Sequence, residues 1–88
     1  MLRLTWTENA LQDLDWWQQQ DINMLKKIIQ LCLDICKEPT KGIGKPEPLK
    51  FELQGYWSRR INQEHRIIYT FDEEHVTITQ CRFHYHKS

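Results

Sequence analysis

The sequence of 88 residues is poor in the features that define most specialised classes. It has three glycines and three prolines, no low-complexity tract and no internal repeat, which excludes fibrous, linker-like and solenoid architectures. No apolar run approaches the roughly 18–20 residues needed to cross a bilayer, and Met1 to Trp6 alternates apolar and polar side chains, unlike the continuous apolar core of a signal peptide. The chain is therefore expected to be cytoplasmic, with no membrane association. The three cysteines, Cys32, Cys36 and Cys81, form no C-x-x-C pair and no metal-ligand spacing, so buried free thiols in a reducing compartment are expected. An excess of charge is lacking too: twelve Lys/Arg balance twelve Asp/Glu, which argues against an indiscriminate nucleic-acid coat.

What is present suffices for one small domain spanning 1–88. Apolar residues make up 40% and there are four tryptophans, enough for a single core. The charge is uneven along the chain. Residues 1–40 carry four Lys/Arg against six Asp/Glu, residues 41–88 carry eight against six, and all four histidines lie in the second part. Affinity for a polyanion belongs to that second part.

Leu2, Leu4 and Trp6 share one face of a first strand. Thr7 is a good N-cap for a helix to about Gln19, with Ala10, Leu11, Leu14 and Trp17 on its apolar side. After a Gln18-Gln19-Gln20 link, Asp21 caps a second helix that ends before Pro39, with Leu25, Ile28, Ile29, Cys32, Ile35 and Cys36 toward a sheet. A loop over 40–48, with Gly42 and Gly44 free to take positive φ, leads to four strand candidates: Leu49–Leu53, Tyr56–Asn62, Arg66–Phe71 and His75–Tyr85. The short breaks between them predict hairpins. The fold class is α+β, in the order β-α-α-β-β-β-β, with both helices on one face of a mainly antiparallel sheet and the other face free. His86-Lys87-Ser88 reads as a polar tail.

The stretch Gly44 to Arg66 concentrates the chemistry. Prolines on both sides hold Glu47 in an extended backbone, with Lys45 and Lys50 near it and Arg59, Arg60 and Arg66 following. A restrained carboxylate among cations suits either phosphate handling or a surface salt-bridge cluster, and spacing alone leaves both open. Tyr56, Ser58, Arg60, Arg66, Arg82 and His84 are all even-numbered. They share a face if paired residue numbers sum to an even value, a register favoured because burying several arginines against helices is costly. His65 is expected to make local hydrogen bonds, Trp6 and Trp57 to join the core, and Asp72-Glu73-Glu74 to form a solvated turn rather than a Mg²⁺ site.

The strings K-P-E-P-L-K at 45–50, L-x-G-x-W-S-R-R-I at 53–61, E-H-R at 64–66, Tyr69 and C-R-F-H-Y at 81–85 resemble the YoeB-type toxins of the RelE-like superfamily, over nearly the whole chain. The resemblance implies a microbial-ribonuclease-like fold and an endoribonuclease that cleaves messenger RNA in the ribosomal A site without metal or cofactor. It implies a cognate, YefM-like antitoxin, a ribosome partner and a homodimer. It also assigns Glu47 as general base, Arg66 as the phosphate-stabilising arginine and His84 as general acid. Tyr85, Lys50 and Arg60 fall on substrate-side positions, and Lys45 and Arg59 are grouped with them as cations of the same stretch. The expected products are a 2′,3′-cyclic or 3′-phosphate and a 5′-hydroxyl. A toxin of the same fold that acts by binding a protein, or an inert relative that only binds antitoxin, does not need this residue set. Two features differ from the family pattern: the three residues after His84-Tyr85, and the neutral net charge.

Overall fold

A computed structural model describes residues 1–83, so His84, Tyr85 and the tail His86-Lys87-Ser88 lie outside the described residues. Strand β1 (Arg3–Trp6) leads into helix α1 (Glu8–Gln20) and helix α2 (Ile22–Lys37). Strands β2 (Glu47–Pro48), β3 (Trp57–Arg60), β4 (Arg66–Phe71) and β5 (His75–Gln80) complete the order. The sheet order is β1-β5-β4-β3-β2, with β1 parallel to β5 and the other pairs antiparallel. The expected α+β layout holds, in a mixed sheet.

Both helix starts follow their caps. The Thr7 hydroxyl accepts from the Ala10 N–H at 3.2 Å, a contact typically contributing about 1 kcal/mol. The Gln triplet is not a link, because α1 runs through it. Asp21 alone separates the helices: its N–H donates to the Trp17 carbonyl at 2.8 Å, closing α1, and its carboxylate accepts from the Asn23 N–H, opening α2. The core lies between the helices and one sheet face, built from Ala10, Trp17, Ile28, Leu31, Cys32, Ile35, Cys36, Ile61, Ile67, Tyr69, Val76, Ile78 and Cys81, with Trp6 and Trp57 packed against it. All three cysteines are buried free thiols, as expected. Leu11 and Ile29 are corrections to the expected core stripes: both face solvent, and Leu31 takes the inward position on α2.

Strand limits shift in three places. Leu49–Leu53 is not a strand: Phe51 has φ +58 and Phe51–Leu53 forms one 3-10 turn, while the extended pairing falls on Glu47–Pro48, expected from the sequence to be loop. Proline is tolerated there because β2 is a sheet edge. β3 ends at Arg60, and β5 ends at Gln80, well short of Tyr85.

The registers decide the faces. β3 and β4 pair with even sums, Ser58 opposite Ile68 and Arg60 opposite Arg66. Between β4 and β5 the sum is odd over Tyr69–Ile78, Thr70–Thr77 and Phe71–Val76, and even again at Ile68–Gln80. One extra residue, Thr79, makes that change. A bulge of this kind swaps the parity of the residues beyond it, so Cys81 points into the core after the even-numbered Val76 and Ile78. Arg82 departs from the shared-face expectation: it lies beyond the strand, with its guanidinium 3.8 Å from the Trp16 ring centroid on α1.

Candidate active site

Glu47 reaches its place through two constraints. Gly44 has φ +82, and a Cβ there would come within 2.9 Å of Leu31 and 3.2 Å of the Arg60 carbonyl, so the loop wedges tightly between α2 and β3. The Gly44 carbonyl accepts from the Arg60 N–H at 2.7 Å. Three residues on, Glu47 pairs with Ser58 across β2–β3. Directly opposed residues of an antiparallel pair project to one side. Glu47, Ser58, Arg60 and Arg66 therefore occupy one face, opposite the one bearing Ile67 and Tyr69 in the core. Among the described residues Glu47 forms no ion pair and is exposed, so the salt-bridge-cluster alternative is not what this geometry builds.

Arg66 is nearly buried, and its Nη1 donates to the carbonyls of Asn62, Gln63 and His65 at 2.8, 3.3 and 3.1 Å. These bonds tie one end of the guanidinium to the β3–β4 turn. The turn is itself held by the Asn62 side-chain carbonyl, which accepts from the N–H groups of Glu64 and His65. Such an arginine is restrained before any ligand arrives.

Arg59 is a correction. Grouped by sequence with the substrate-side cations, it is 0% exposed and points into the helix side. All five of its N–H donors are engaged. Nε donates to Tyr69 Oη at 3.2 Å, Nη1 to Asp34 Oδ2 at 2.6 Å and to the Ile43 carbonyl at 3.0 Å, and Nη2 to the carbonyls of Glu38 and Lys41 at 2.7 and 2.8 Å. No donor remains for a phosphate. The Arg59 hydrogen bond holds the Asp34 carboxyl below the ordinary carboxylate range, and burial pushes the Tyr69 hydroxyl up. Arg59 thus ties the end of α2 and the 41–43 loop to β3, the foundation from which Glu47 extends.

Lys45, Lys50 and Arg60 are exposed. Lys45 adopts φ +53, the left-handed region that few non-glycine residues enter. Together with Lys27, Leu31, Gly44, Ile61, Asn62 and Gln63, Lys45 and Arg60 line a cavity of about 410 Å³ whose lining has three cations and no carboxylate. Sequence reasoning missed Lys27, which sits on α2 far from the other two in the chain and carried no signal. The remaining predicted residues, His84 and Tyr85, lie outside the described residues. Their approach is anchored: the Trp17 indole N–H donates to the Cys81 carbonyl at 2.7 Å, and the Cys81 N–H donates to Asp13 at 3.1 Å. Asp72 meets expectation as a solvated turn residue, its carboxylate accepting from the N–H groups of Glu74 and His75.

A carboxylate and a held arginine share one sheet face, and a cationic cavity opens beside them at the α2–β3 edge; a carboxylate can take a proton and an arginine can meet charge on a phosphate. Comparison with known proteins identifies the family. A sequence profile for the YoeB-like toxin of bacterial type II toxin–antitoxin systems matches residues 6–85. The chain is 49% identical to Toxin YoeB of Synechocystis sp. over 98% of its length and all of that protein. It superposes on a YoeB dimer structure from Staphylococcus aureus with a TM-score of 0.87 at 47% identity, covering 96% of this chain and 98% of that one. On a heterotetrameric YoeB–YefM toxin–antitoxin complex from the same organism the TM-score is 0.86 at 46% identity, covering 97% and 99%.

Proposed function

The chain belongs to the YoeB-like toxins of bacterial type II toxin–antitoxin systems, and from that premise we propose that it is an endoribonuclease that cleaves messenger RNA on the ribosome and is held in check by a YefM-like antitoxin. The observation that carries this reading is the shared face of Glu47, Arg60 and Arg66, set by the β2–β3 and β3–β4 registers. RNA supplies its own nucleophile. Glu47 takes the proton of the 2′-hydroxyl, the 2′-oxygen bonds to phosphorus, and the bond to the 5′-oxygen breaks as His84 donates a proton to it. Arg66 meets the charge that builds on the non-bridging oxygens. The products are a 2′,3′-cyclic phosphate, which can open to a 3′-phosphate, and a 5′-hydroxyl. No step calls on a metal or a cofactor.

Lys45, Lys50 and Arg60, joined by Lys27, supply positive charge for neighbouring phosphates, and Tyr85 is assigned to stack on a base. The neutral overall charge makes this local patch the source of affinity. The related toxin that forms a dimer and the one bound to YefM support a homodimer and an antitoxin-bound resting state for this chain.

The test uses ribosomes programmed with a message carrying a single 2′-deoxynucleotide 5′ of the scissile bond. Cleavage should cease there, while the all-ribose message yields fragments with 5′-hydroxyl ends. Efficient cutting of the deoxy message would exclude this mechanism. Growth arrest by a variant that no longer cuts would favour toxicity through protein binding instead.

A further inference from the structure

The residues just before His84 are held in an unusual way. Phe83 has φ +64, a left-handed conformation costly for a bulky side chain, so the surroundings must over-determine it. Its N–H donates to His65 Nδ1 at 2.6 Å, and its carbonyl accepts from the Arg66 N–H at 2.9 Å. That carbonyl belongs to the peptide that joins Phe83 to His84. The two peptides flanking Phe83 are thus fixed by consecutive residues of β4's entry, one of them the proposed phosphate-stabilising arginine.

His65 is built to serve as an acceptor. It is 7% exposed, with its ring 4.9 Å from Trp17 edge-on, 6.1 Å from Trp16 and 5.8 Å from Phe83. Its own backbone N–H donates to Asn62 Oδ1 at 2.7 Å, and its carbonyl accepts from the Ile61 N–H at 3.0 Å. An Nδ1 that accepts must carry its proton on Nε2, which faces the Glu64 carboxylate at 3.7 Å. Ring packing alone would leave the direction of Nδ1 arbitrary; here it points at the Phe83 N–H, one residue before His84.

We infer that His65 is a positioning residue for the reaction: its Nδ1 bond to the Phe83 N–H fixes the backbone that leads into His84, the residue read as general acid. This rests on the reading of His84 as general acid. A displaced acid lowers turnover without weakening substrate binding, and misplacement by about 1 Å can cost on the order of 10²-fold.

The experiment compares single-turnover cleavage of ribosome-bound message, with thermal midpoints, for His65→Phe, His65→Asn, His84→Gln and a protein whose Phe83 amide is replaced by an ester. His65→Phe keeps the ring and loses the acceptor; its midpoint should stay near the parent's while kcat falls roughly 10- to 100-fold with KM nearly unchanged. His65→Asn loses the ring but offers Oδ1 near the Nδ1 position, so it should lose stability and keep most of kcat. The ester removes only the N–H donor and should reproduce the kcat loss, deciding the matter if His65→Phe does not fold. Full kcat in the ester protein alongside an inactive His84→Gln would overturn the role of His65 and leave the general acid standing. An active His84→Gln would overturn both.

Discussion

Arg59 and Arg60 are neighbours in sequence and opposites in the molecule. Arg59 lies on the helix side with every donor engaged by Asp34, Tyr69 and three backbone carbonyls. Arg60 projects from the other face, opposite Arg66, and is exposed; with Lys27 and Lys45 it also borders the cavity at the α2–β3 edge, whose lining offers no carboxylate. The first environment satisfies its cation from within; the second sets two arginines directly opposite each other across β3 and β4. One arginine holds the fold and the other is open to solvent. Composition treats them alike.

The comparison breaks most sharply where chemistry is removed from the exposed face. Glu47→Gln keeps shape and should lower cleavage by about 10²–10⁴-fold, roughly 3–5 kcal/mol of barrier, with an unchanged thermal midpoint and unchanged antitoxin affinity. Arg66→Ala should lose activity on a similar scale, but its bonds to the 62–65 turn predict a lower midpoint as well. Calorimetry beside cleavage assays separates the two.

On the helix side the loss should appear as stability. Arg59→Leu leaves the carbonyls of Glu38, Lys41 and Ile43 without their donor, at about 1–3 kcal/mol for each group left unsatisfied, while Asp34, with 29% of its side chain exposed, can rehydrate. Urea denaturation should show it. A stable Arg59→Leu that binds RNA poorly would reverse the assignment.

Smaller effects are expected along the cationic cavity. Lys27→Ala and Arg60→Ala should leave kcat close to the parent value and raise KM several-fold. If each removes one phosphate contact, the slope of log affinity against log salt should shrink by about 0.7 per contact for a single strand. Binding titrations at several salt concentrations measure this directly.

The smallest effect comes from pH. The folded-state pKa of Asp34 lies below its ordinary value of 3.8, so its contribution is present above that value and fades as pH falls through the folded pKa. Acid unfolding of Asp34→Asn should be flatter than the parent's below about pH 4 for this reason.

Much of the fold was legible in the chain because its signals are local. Thr7 and Asp21 cap helices through bonds to residues two or three positions away, and the apolar spacing of α2 needs only its own sequence. The errors came where the local signal was ambiguous. Leu49–Leu53 has strand-like composition, yet Phe51 turns left-handed and the chain leaves the sheet. Leu11 and Ile29 fit a helical stripe, but the packing surface is narrower than their arc.

What the sequence alone determined is the two helices and four of the five strands, the burial of its thiols, the family resemblance and the identity of Glu47 and Arg66 as candidates for chemistry. Alternation in a strand also required Arg59 and Arg60 to face opposite ways. Which of them faces outward was decided only by the pairing of β3 with β4 and by what packs behind it, because register is a contact between distant segments. The same holds for the bulge at Thr79, which returns Cys81 to the core, and for the meeting of Lys27 with Lys45 and Arg60. Side-chain direction repeats every two residues and can be read along a strand; its absolute sense is fixed only when the sheet closes against the helices.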